Sequence, residues 1–109
     1  MFNINQKPTF TREVQIPVPV DDGHENQSIK VTFLARQDAE LAQYNTRTLE
    51  GQKQMLRDVI LSIEDIVDDE GQPVPYSPGL LEKLMSWTFA VLALLSAYSK
   101  SMADARLGN

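Results

Sequence analysis

The chain has 109 residues, 42% of them apolar, no cysteine and a formal charge of −5. Its length suits one domain and its apolar share a packed core, which excludes wholesale disorder. The lack of cysteine removes disulfides, thiol nucleophiles and cysteine-held metal, and suits a reducing compartment. The opening MFNINQKPTF lacks the basic and apolar regions of a secretory signal. The most apolar run, Leu84 to Ala97, is interrupted by Ser86, Thr88 and Ser96, and falls short of the roughly 20 residues a membrane span needs. A soluble cytoplasmic protein is expected.

Residues 10–20 alternate, with Phe10, Val14, Ile16, Val18 and Val20 on one face and Arg12 the exception. Residues 28–36 alternate likewise through Ile29, Val31, Phe33 and Ala35. The polar DDGHENQ between them predicts an antiparallel hairpin. Pro17 and Pro19 strip two donors from the same lateral edge, so the first strand should be an edge strand that pairs through its other side.

After Arg36 the period changes. A short helix is expected to open at Asp38. A second, of about five turns, is predicted from Leu49 through Leu56, Val59, Ile60, Ile63, Ile66 and Val67, the spacing of an amphipathic face. Thr48 is its N-cap, Gly51 a weak spot in its first turn and Gly71 its terminator. Ser77-Pro78 reads as an N-cap followed by a first-turn proline. Helix then continues to about Arg106, as one element or as two broken near Ser86–Thr88. The expected fold is α+β: one domain over 1–109, a hairpin at about 10–36 packed against three to four helices at about 38–106.

Charge is unevenly placed. Seven acids and no base lie between Arg57 and Lys83, whereas the rest of the chain carries ten bases against eight acids. Glu64, Asp65, Asp68, Asp69 and Glu70 form the densest group, a candidate acidic surface. At the end of a helix each would oppose the dipole, at about 0.3–1 kcal/mol in low salt, which hints at a basic partner or a demand for solubility. A merely solvated face explains the group equally well. A calcium loop fails here, because Gly71 at its sixth position would put Ile66 and Ser77 where ligands belong. His24 sits in a polar turn without a nucleophile nearby, and no phosphate loop, nucleophile elbow or dinucleotide fingerprint occurs. No catalytic residue, metal or cofactor is expected. Clustered Lys and Arg are also missing, which argues against direct nucleic-acid binding.

The last helical region is apolar over more than half its circumference. Trp87, Phe89, Val91, Leu94, Leu95, Tyr98 and Met102 are candidate partner-binding residues, because such a helix is either central to the core or meets another chain. Self-association would cover it as well as a heterologous partner.

Together, "IPVPVDDG", "IKVTFLAR", "LRDVILSIEDIVDDEGQPVPYS" and "AYSKSMADARLGN" resemble the small tail assembly chaperones of long-tailed bacteriophages over most of the chain. The middle block is the most specific. The resemblance implies a non-enzymatic protein of the host bacterial cytoplasm, absent from the mature virion. It would bind the apolar, helical tape measure protein and help the major tail tube protein polymerise around it. Two other classes fit a small acidic α+β chain: a tail-completion or connector subunit of the virion, and an acidic regulator that mimics nucleic acid through 58–82.

Overall fold

The computed structural model describes residues 1–104. Their elements are strands β1 (Thr9–Val20) and β2 (Gly23–Leu34), helices α1 (Asp38–Leu41) and α2 (Leu49–Val59), strand β3 (Ile60–Glu64), and helices α3 (Pro78–Leu84) and α4 (Thr88–Asp104). Ala105 and Arg106, where the last helix was expected to end, lie outside the described residues.

The strands form one antiparallel sheet in the order β1-β2-β3. β1 is an edge strand, as its prolines require, and pairs with β2 from Thr9↔Leu34 to Val20↔Gly23. The second strand begins earlier than its alternation suggested. His24 to Gln27 are paired residues, leaving Asp21 and Asp22 as the turn. Their polarity reads as loop because this end of the hairpin is exposed on both faces. Gly23 closes the turn at φ 146, a conformation that favours glycine.

One face of the hairpin buries Val14, Ile16, Ile29, Val31 and Phe33. α4 crosses β1 on this face and α2 flanks it, adding Met55, Leu56, Val59, Val91, Leu94 and Tyr98 to a single core. Arg12 keeps its place in the apolar row by lying 5.0 Å above the Phe10 ring while remaining exposed. Tyr98 is the anchor of α4. Its ring packs 5.4 Å from Phe33 and 6.0 Å from Phe10. Its hydroxyl donates to the Leu34 carbonyl at 3.0 Å and accepts from the Arg36 amide at 3.1 Å, so a buried polar group is satisfied at both lone pair and proton.

The expected five-turn helix ends after Val59. Ile60 to Glu64 instead pair with β2, matching Lys30↔Glu64, Val31↔Ile63 and Thr32↔Ser62, with an irregularity before Phe33↔Ile60. Leu56, Val59, Ile60 and Ile63 have helical spacing, but the β-branched residues also suit a strand, and β2 offers unpaired backbone groups that must be satisfied. Thr48 caps α2 as expected, accepting from the Gly51 amide at 3.0 Å. Gly51 proves to be a point of close approach. A Cβ there would stand 1.8 Å from the Asn45 carbonyl oxygen. Gly51→Ala should therefore lower stability by at least about 2 kcal/mol through forced backbone movement. Chemical denaturation measures this.

Candidate functional site

The region from Glu64 to Trp87 is built by three local devices. Asp65 takes φ 67 and turns the chain out of β3. Next, Ile66 and Val74 close a narrow acidic turn through a 2.8 Å backbone bond, and Val67 bridges Pro73. Within it the Asp68 carboxylate accepts from the amides of Glu70 and Gln72, each at 2.9 Å, and Gly71 adopts φ 77. The acidic group thus begins at the last residue of a strand, Glu64, and continues on a turn, so the helix-dipole penalty expected for it does not arise. Gly71 serves the turn and terminates no helix. Glu64, Asp65, Asp69 and Glu70 are exposed, as is Asp68.

The third device is the break between the last helices. Ser77 caps α3, accepting from the Leu80 amide at 3.1 Å, with Pro78 at the first helical position. α3 ends when Ser86 Oγ donates to the Lys83 carbonyl at 2.6 Å, and the chain bends by 110° into α4. The Trp87 carbonyl accepts the first bonds of α4, from Ala90 and Val91, both at 3.1 Å. Trp87 therefore stands at a corner, 59% exposed as a residue, with its ring stacked 5.6 Å from that of Phe89. The orientation of α3 is held by Arg57 of α2, whose guanidinium donates to both oxygens of Glu82 at 2.7 and 2.9 Å. That hydrogen bonding holds the Glu82 carboxyl below its ordinary range.

These devices bring the acidic turn and the Trp87 corner to the exposed half of the hairpin. Two adjoining concavities result, sharing Ile66, Leu84 and Trp87. One, of about 500 Å³, runs between Ile16, Val18 and Ile29 of the hairpin and Phe89 of α4, with Asp65 at its border. The other, of about 620 Å³, is walled by Val67, Val74 and Leu80 and rimmed by Asp68, Asp69, Glu70 and Lys83. An apolar floor with an acidic border can take an apolar, cationic surface.

Of the seven partner candidates, Trp87 and Phe89 line this groove. Val91, Leu94 and Tyr98 are core residues, closed to a partner in this state, because the bend turns them onto the sheet. Leu95 is half-buried against that core, and Met102 is exposed roughly 22 Å along α4 from Trp87 at 1.5 Å per residue. Ile16, Val18, Ile29, Ile66 and Leu84 escaped notice as groove residues, since strand and helix periodicity marks them only as inward-facing. Among the described residues no single helix is long and apolar enough to cross a membrane.

The family model for phage tail assembly chaperones matches residues 1–109, the whole chain. The chain belongs to the phage tail assembly chaperone family. No curated protein and no solved structure matches it. Membership in the chaperone family implies a part in assembly and a non-enzymatic role.

Two outcomes check this description. Trp87→Ala should change stability by less than about 1 kcal/mol, whereas Leu94→Ala should cost about 2–5 kcal/mol by opening a core cavity. Equilibrium denaturation separates them. Because Glu82 titrates below its unfolded value, its stabilising contact is present at neutral pH and is lost as pH falls through the folded pKa. Glu82→Gln should flatten that acid-side loss, read as denaturation midpoints across the carboxylate range.

Proposed function

We propose that the groove around Trp87 holds apolar helical segments of the tape measure protein and keeps that client soluble until the major tail tube protein assembles around it. The observation that carries this reading is the joined concavity of Ile16, Ile29, Ile66, Leu84, Trp87 and Phe89, bordered by the acidic turn, in a member of a tail assembly chaperone family. An amphipathic helix laid in such a groove buries its apolar face, while the acidic border attracts flanking cations and keeps the complex hydrated. Self-association through the same groove would compete with client binding. The protein acts in the host bacterial cytoplasm and is absent from the mature virion.

Co-expression with the tape measure protein should raise the client's soluble yield several-fold. Trp87→Asp should abolish the gain while leaving the circular dichroism spectrum unchanged; an undiminished gain would remove the groove from the mechanism. Leu94→Asp is unsuitable as a probe, because Leu94 is buried. Mass spectrometry of purified particles separates the chaperone from a tail-completion or connector subunit, since only the subunit would remain in the virion.

A further inference from the structure

The two lateral edges of the hairpin are treated differently along its exposed half. The Ala35 amide donates to the Pro8 carbonyl at 2.9 Å, which sets the parity of the β1–β2 ladder. Odd-numbered residues of β2 direct their N–H and C=O toward β1; even-numbered ones direct them away. The prolines obey this parity. Pro17 lies opposite Asn26 and Pro19 opposite His24, at non-hydrogen-bonded positions where a missing N–H costs the ladder nothing. The outer edge of β1 is thereby deprived of two donors, which protects it against pairing.

The far edge of β2 has no such protection. β3 covers it from Lys30 to Phe33, and Asp65 then turns the chain away. His24, Asn26 and Ser28 present three N–H and three C=O groups along that edge, and among the described residues none has a backbone partner there. No proline interrupts residues 23–28. The slot is about 17 Å long at 3.4 Å per residue and lies in line with β3. On its inner side Gln27, Ile29, Asp65 and Ile66 border the apolar groove. Asp21 and Asp22 lie at the hairpin tip, at one end of the slot, and Glu64 and Asp65 at the β3 exit, at the other, with Lys30 the one base of the adjoining segment from residue 21 to residue 30.

We propose that this edge of β2 accepts an extended segment of a partner protein as a fourth strand, and that the segment alternates apolar and basic residues. Backbone pairing to His24, Asn26 and Ser28 supplies the register. Apolar side chains of the added strand then fall on the groove face beside Ile29 and Ile66. Its cations meet the carboxylates of the hairpin tip and of the β3 exit. This goes beyond client binding by a helix, and it survives even where no helical client enters the groove.

The probe is a nine-residue synthetic peptide alternating valine and lysine, with an amphipathic leucine–lysine helix of equal charge as comparator. Binding of the extended peptide should slow amide exchange at His24, Asn26 and Ser28 at least tenfold and leave Glu25 and Gln27, already bonded to β1, unchanged. Asn26→Pro removes a donor from the open edge without touching the β1 ladder, and should weaken the peptide at least tenfold. Gln15→Pro places the same lesion on the opposite edge and should leave binding intact. Should Asn26→Pro fail to fold, the exchange pattern of the unmodified protein decides. Absence of peptide binding, absence of protection at the three amides, or equal loss in both proline variants would overturn the proposal. So would a helical comparator that binds as tightly and competes with the extended peptide.

Discussion

Where β3 lies along β2, Lys30 to Thr32 face Glu64 to Ser62, and a chain that has just completed three turns of helix is committed to extended structure. Everything downstream takes its position from that pairing. The strand leads the chain to Asp65, whose left-handed conformation points the acidic turn toward the hairpin and away from the end of a helix. Had α2 continued, the carboxylates would have projected from a helix terminus far from Trp87, and β2 would have carried an open edge along its whole length. The groove exists because a strand of five residues is long enough to anchor the turn and short enough to stop at Lys30.

The second half of the site depends on a different constraint. Tyr98 fixes α4 to the end of β2, and Arg57 fixes α3 to α2 through Glu82. With both helices held in this way, the 110° bend between them forms a corner. Trp87 occupies it as the residue just before α4, and a large aromatic side chain at that corner stays largely outside the core. Its exposure follows from topology, and stacking on Phe89 is the contact left to it.

Much of this was legible in the residues. The alternation around Val14 and Val31, the paired prolines and the caps at Thr48 and Ser77 each have one strong physical interpretation, and each is found. β3 was hidden because Leu56, Val59, Ile60 and Ile63 satisfy helical spacing, and only the open edge of β2, a long-range feature, decides for a strand. The early start of β2 was hidden because His24 to Gln27 have no buried face to betray a period. For the last helical region, a single wheel merges two helices whose axes differ, so Val91, Leu94 and Tyr98 share a stripe with Trp87 although the bend sends them in opposite directions. The acidic group and the apolar stripe both stand out in the sequence; the meeting of that group with Trp87 and Phe89 at one groove is beyond the reach of local pattern.

The packing of α4 on β1 joins the last described element to the first. The hairpin can form as soon as its two strands leave the ribosome, but its apolar face remains wet until α4 has been made. Until then the nascent polypeptide displays apolar surface that invites misassociation. A member of a tail assembly chaperone family thus meets an assembly problem of its own, and the docking of α4 on the hairpin resolves it.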